Sequence, residues 1–307
     1  MNNKKYIELI DQETGEIEEG LFIPKDQIDK LKITDKQYIE KYKQHTQRVE
    51  KLKEYNKTVG EYFTFSLRDS VKELFSNELF NDTEKVSIMY IGTFVNSKGY
   101  LITKNNIHFD KKLLKKYVKI TTKDNAYNIF YDKLIESGIL LEQENKLVWN
   151  TKLSFKGSPG KQGNSIKDCY RTYDQTLQKL YEDNMPKSLA VIFRLLPYVN
   201  RYTNELSRIV DDIYYDKEEL YSPYEIAVLL GIHGETEKKD FIRRSLKIRV
   251  GDDFIFMISK VNKQSKVTIN PSLVWMSGEP PHFTMLNLFE AAKEKYLQKK
   301  NKKKLLH

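Results

Sequence analysis

The sequence predicts a helix-rich α+β chain in which one structural unit occurs twice in tandem behind an N-terminal helical arm. Three observations predict it: three ordered blocks of similarity, a shared order of helical and strand patterns, and a glycine- and proline-rich break between the copies. The blocks are residues 86–96 against 190–200, 114–134 against 226–246, and 146–155 against 266–275. They align Ile88 with Ile192, Val95 with Val199, Asn96 with Asn200, Ile120 with Ile232 and Leu134 with Leu246. The last block adds Lys146 with Lys266, Asn150 with Asn270 and Leu153 with Leu273. The separation of the copies changes only between blocks, and insertions confined to connections are what two copies of one fold tolerate.

Residues 1–59 read as the arm. Apolar stretches on either side of Thr14 and Gly15 suggest a small hairpin or a loose arm. Residues 35–58 suggest a charged helix with Tyr38, Ile39, Tyr42, Val49, Leu52 and Tyr55 as sparse apolar positions. That stripe is too thin for a buried helix and suits a surface helix, or an arm that docks on something.

Each copy then repeats one order. A long apolar helix (84–95; 187–198) precedes a short amphipathic helix (111–118; 222–230), a tight turn (119–123; 231–235) and a second helix (124–136; 236–247). β-patterned segments follow, at 138–149 in the first copy and at 253–260 with 266–275 in the second. Two helices joined by a short turn form a helix-turn-helix unit, and a β-hairpin behind it adds a wing. Gly231 stands where the turn needs it, and Thr121, Thr122 and Thr236 are the expected caps of the following helices. The predicted architecture is therefore two winged-helix domains, 60–157 and 187–278.

Between them, Lys156 to Gly163 (KGSPGKQG) is a linker signal. It lacks the spacing of a phosphate-binding loop and no strand-to-helix cradle follows. Residues 165–186 read as a polar helix with Tyr170, Tyr173, Leu177, Leu180 and Tyr181 on one face, so 158–186 is expected to be linker and connecting helix. Residues 279–307 read as a C-terminal helix whose like-charge block, Lys299 to Lys304, is expected to be disordered.

Composition bounds the function. Hydrophobic residues make up 39%, which suits a soluble globular protein. No apolar run approaches the roughly 18–20 residues that span a membrane, and the first 25 residues are acidic rather than signal-like. A cytoplasmic protein without membrane partners is the expectation. Cys169 is the single cysteine, which leaves no internal disulfide or cysteine-based zinc site and suits a packing role. The formal net charge is +9 and its excess lies in the C-terminal half, a bias that favours a polyanionic partner, nucleic acid or an anionic membrane.

The second helix of the second copy carries the strongest functional pattern. At a period of 3.6 residues, Phe241, Ile242, Ser245 and Leu246 face the core. Thr236, Lys239, Asp240, Arg243, Arg244 and Lys247 face outward, with Arg249 just beyond. Arginines on such a helix can fork onto guanine N7 and O6 while lysine and threonine meet phosphate. The bland alternative is a solvated charged face. The second wing carries Lys260, Lys263, Gln264 and Lys266 around a polar turn, as phosphate contacts or as a solubilising loop. In the first copy the outward set is Asp124, Asn125, Asn128, Tyr131, Asp132 and Ile135, without Lys or Arg. Tyr131 and Ile135 suggest a self-association surface there.

Enzymatic constellations are missing from the sequence. The five histidines are scattered, no HExxH or Asp-x-Asp pair occurs, and neither a Walker A loop nor GxGxxG is present. The acidic group Asp211, Asp212 and Asp216 reads as a solvated turn. No catalytic residue, metal or cofactor is expected.

Two tandem winged helices joined by a linker resemble the iteron-binding replication initiators of bacterial plasmids and their relatives in phages of low-GC Gram-positive bacteria. Leu196-Pro197-Tyr198-Val199-Asn200 and Thr268-Ile269-Asn270-Pro271 with Gly278 carry the likeness, over roughly residues 60–280; the opening Ile7 to Glu16 also has the character of mobile-element proteins. The resemblance implies that the C-terminal winged helix makes the principal site-specific contacts with double-stranded DNA, while the N-terminal one mediates homodimerisation or adds backbone contacts. It implies host replication proteins as partners. The acidic first recognition face and the long arm depart from the family pattern. A winged-helix transcriptional regulator and a DNA-packaging or protein-interaction accessory are the alternative functions, since fold does not fix function.

Overall fold

The computed structural model describes residues 7–10, 17–20, 36–60, 62–120, 125–157, 159–160, 163–165, 168–212, 219–261 and 264–304. It is a mixed α+β structure, about half helical, with small antiparallel sheets. β1 (Ile7–Ile10) pairs with β2 (Ile17–Gly20), and α1 (Lys36–Val59) follows.

The first copy runs β3 (Phe63–Leu67), α2 (Arg68–Ser76), α3 (Asp82–Gly92), α4 (Lys111–Tyr117), α5 (Ala126–Glu136), β4 (Leu140–Gln143), β5 (Lys146–Trp149) and β6 (Ser154–Phe155). The second runs β7 (Cys169–Tyr173), α6 (Asp174–Asp183), α7 (Pro186–Leu195), α8 (Pro223–Leu229) and α9 (Glu235–Arg244). It continues through β8 (Arg249–Val250), β9 (Asp253–Phe254), β10 (Phe256–Val261), β11 (Gln264–Ile269) and β12 (Val274–Trp275). Apart from the extra β8–β9 hairpin the order is the same: strand, four helices, hairpin, strand. α10 (Phe283–Lys304) closes the described chain.

The copies meet in one antiparallel sheet, ordered β12-β7-β3-β6. At its centre β3 and β7 pair Phe63 with Tyr173, Phe65 with Arg171 and Leu67 with Cys169, so exchanging the two strands maps the register onto itself. The flanks obey the same exchange. β6 sets Phe155 opposite Phe65, and β12 sets Trp275 opposite Arg171. Alternation along β3 sends Phe63, Phe65 and Leu67 to one face and Thr64 and Ser66 to the other. The polar face is nevertheless buried, because Thr64 donates to the Asp174 carboxylate at 2.7 Å and Lys156 lies 2.8 Å from the other oxygen of that group.

Helices of both copies build a common core on that face. α3 packs on α7, α2 on α7 and α3 on α6, with Ile88, Ile192, Leu177 and Leu180 fully buried. Two ring stacks cross the junction: Phe75 on Phe193 at 5.5 Å and Tyr90 on Tyr181 at 4.0 Å. α3 starts on a capping box between Asn81 and Glu84, and α8 on one between Ser222 and Glu225 with Pro223 in its first turn.

Three sequence expectations change here. Residues 158–186 are not merely linker and connecting helix: Cys169 to Tyr173 is a central strand, and α6 is a core helix equivalent to α2. A five-residue strand buried on both faces shows too little alternation to be separated from the helix that follows it. The copies consequently share a sheet and a core instead of standing apart. Of the two alternatives for residues 35–58 the docked arm is the one observed: Leu52 is fully buried with Tyr173 and Trp275 on the second sheet face, and Tyr173 donates to Asn56 at 2.8 Å. The lysine block, Lys299 to Lys304, lies inside α10.

Candidate nucleic-acid interface

α9 follows α8 in the second copy after a short turn. α8 stops at Leu230 and Gly231, whose φ of +80° suits glycine, and α9 begins after Gly234. Thr236 lies inside the first turn and is not its cap. Glu235 and Glu237 in the first turn, with Arg243 and Arg244 in the last, match the helix dipole. Phe241 and Leu246 are buried and Ile242 packs against the core, which fixes the roll of the helix.

That roll leaves Thr236, Lys239, Arg243, Arg244 and Lys247 exposed on one side. Arg243 and Arg244 both lean on Asp240, at 2.8 and 3.7 Å, with side chains 62% and 72% exposed. Surface ion pairs of this kind contribute about 0–1 kcal/mol, so both guanidiniums are readily exchanged onto another acceptor. Lys239 and Lys247 have no ion-pair partner among the described residues. Behind α9, β10 and β11 form a six-pair hairpin packed on the core through Phe256, Val267 and Ile269. Lys260 is exposed on it.

Two of the sequence-selected cations are engaged elsewhere. Lys266 forms an ion pair with Glu205, a commitment that its position beside a buried loop strand favours. Arg249 lies 3.9 Å from the Tyr296 ring centroid and holds α10 rather than extending the α9 face. Lys263 and the Gln264 side chain lie outside the described residues.

In the first copy Tyr131 is not the exposed residue that a self-association surface would need. Tyr131 is 3% exposed, and its hydroxyl donates to Glu142 on β4; burial first, then that hydrogen bond, raises its pKa. Ile135 is half-buried against the core. The helix is rolled so that Tyr127, Phe130, Tyr131 and Leu134 point inward; what α5 exposes is Asn125, Asn128, Ile129, Asp132 and Glu136. Asp124 and the two threonines Thr121 and Thr122 lie outside the described residues. Sequence reasoning also passed over α4, where Lys112, Lys115 and Lys116 are exposed; the run Lys-Lys-Leu-Leu-Lys-Lys was the available signal.

The aligned residues Lys119 and Gly231 make different contacts. In the first copy Lys119 reaches across to α6, its ammonium donating to the carbonyls of Tyr181, Glu182 and Asn184 at 2.8, 2.6 and 3.2 Å. Gly231 occupies the aligned place in the second copy, where a cleft of about 250 Å³ separates Lys72 and Phe75 from Leu229 and Leu230. Among the described residues no cluster of three or more His, Cys, Asp or Glu side chains could hold a metal ion, and no helix is long and apolar enough to cross a membrane. No family model, curated protein or solved structure matches the chain.

Proposed function

We propose that the chain is a non-catalytic, site-specific binder of double-stranded DNA, built as two joined winged helices, that reads duplex through α9 with the β10–β11 hairpin as its wing. The observation that carries this reading is the exposed face of Lys239, Arg243, Arg244 and Lys247 on α9, held in roll by Phe241 and Leu246. A helix so presented suits the major groove, where paired guanidiniums discriminate guanine. Initiation of replication at repeats in a plasmid or phage origin is the task that fits the tandem arrangement best.

Selection of bound duplexes from a random pool tests both levels. Enrichment of one motif, with a steep fall of affinity as salt rises, supports DNA reading; the slope should approach −0.9 per neutralised phosphate. Direct repeats of that motif beside the gene support initiation, and an inverted repeat favours the regulator instead. A pool that stays unenriched, with affinity indifferent to salt, contradicts the proposal.

A further inference from the structure

α10 has two distinct sets of lysines. Phe289, Lys293, Tyr296 and Lys300 recur at i, i+4, i+7 and i+11, which places them on one side of a helix turning about 100° per residue. That side is docked on the β8–β9 hairpin. Lys293 meets Asp253 at 2.9 Å, Lys300 meets Asp252 at 2.9 Å, and the Tyr296 ring receives Arg249 on its face and Phe254 on its edge. Lys295, Lys299 and Lys302 recur at i, i+4 and i+7 on a different side, exposed and without ion-pair partners among the described residues. Glu290 and Glu294, the helix's own carboxylates, fall on neither stripe.

The anchor is what gives the second stripe meaning. β8 begins two residues after Lys247, so the hairpin that holds α10 is the direct continuation of the α9 face. Solvated lysines on a detached tail would have no fixed relation to that face, and these have one. We infer that Lys295, Lys299 and Lys302 form a rigid phosphate-binding rail, which grips the DNA backbone flanking the segment that α9 reads. The stripe rises about 10 Å along the helix axis, roughly three steps of a duplex strand at about 3.4 Å each. Its lysine side carries no apolar residue between the cations, as a helix lying in an anionic membrane would require.

This inference rests on the DNA reading above, and the experiment separates the two. The duplex used is the one selected by the wild-type protein, probed by salt titration and hydroxyl-radical footprinting. Lys295→Gln, Lys299→Gln and Lys302→Gln together should lower the salt slope by about 2.7 and erase protection on one flank, leaving the central motif protected. A second variant keeps all three lysines and releases the helix: Asp252→Asn with Asp253→Asn and Tyr296→Ala. It should lose the same flank protection while retaining its thermal transition. An unchanged slope in the lysine variant, or full flank protection in the released variant, overturns the rail. If Arg243→Ala with Arg244→Ala abolishes motif binding while the lysine variant matches wild type, only the rail falls. If wild-type protein protects no duplex, the DNA reading falls and the rail with it.

Discussion

Lys119 donates its backbone N–H to the Tyr181 hydroxyl at 2.7 Å and its ammonium to the Tyr181 carbonyl at 2.8 Å, so one residue of the first copy closes the end of a helix in the second. The same hydroxyl meets Ser87 Oγ at 2.8 Å. Three elements thus converge on one buried phenol. Tyr181→Phe should leave the Lys119 amide without its acceptor, while Ser87 keeps the Thr83 carbonyl at 2.8 Å, and cost about 1–3 kcal/mol. Lys119→Ala removes a cation from the α6 C-terminus and should cost about 1–2 kcal/mol. Urea unfolding reports both. Wild-type midpoints in both variants would show that the junction owes nothing to this contact.

Asn150 and Asn270 do the same work in the two copies. Each amide Nδ2 donates to a carbonyl at the foot of its own hairpin, Gly138 at 2.9 Å and Phe254 at 2.8 Å. Each side-chain oxygen accepts the backbone N–H two residues on, from Lys152 at 3.0 Å and Ser272 at 2.9 Å. Alanine at either position should destabilise by about 1–3 kcal/mol, with the two changes additive because the sites share no partner. A loss at one site alone would mean that the repeat is not matched at this level.

How far the sequence was legible follows from such pairs. Asn150 and Asn270, or Val95 and Val199, aligned because each solves the same local problem twice, and helices and hairpins follow one another in the order that the repeats predicted. The β3–β7 pair was invisible for the opposite reason. Its strands are five residues long, carry Thr64, Ser66 and Arg171 on buried faces, and owe their stability to pairing with each other across the chain. At the site, the exposed basic face of α9 was legible from its period. The engagement of Lys266 by Glu205 and of Arg249 by Tyr296 was not, because each partner is distant in sequence.

Tyr131 now carries a prediction about folding rather than assembly. Tyr131→Ala empties a buried site and leaves Glu142 without its donor, at a cost of about 3–5 kcal/mol. Tyr131→Phe keeps the volume and should cost about 1 kcal/mol. Chemical denaturation gives both values, and sedimentation of the Phe variant should match wild type. A changed association state in that variant would restore a surface role.

Burial pushes the Cys169 thiol up to about 12. The native thiol should therefore resist alkylation at mildly alkaline pH and react fully once the chain is unfolded. The linkage sign follows: a raised folded pKa gives stability that is complete below the ordinary value of 9.0 and is lost as pH rises toward about 12. Relative to Cys169→Ser, wild-type stability should decline with pH across that window. Rapid labelling of native protein would contradict the buried position beside Phe65 and Phe155.

The division between the copies is the central claim, and binding isotherms on the selected duplex test it most directly. Arg243→Ala and Arg244→Ala should each weaken specific binding by about 1–3 kcal/mol, with a scrambled duplex much less affected, as loss of base contacts requires. Asn128→Ala and Asp132→Ala on α5 should change affinity little, since that face offers phosphates no positive charge. Equal losses from the two helices would contradict the division, and wild-type affinity in the Arg243→Ala, Arg244→Ala double variant would remove α9 from the interface altogether.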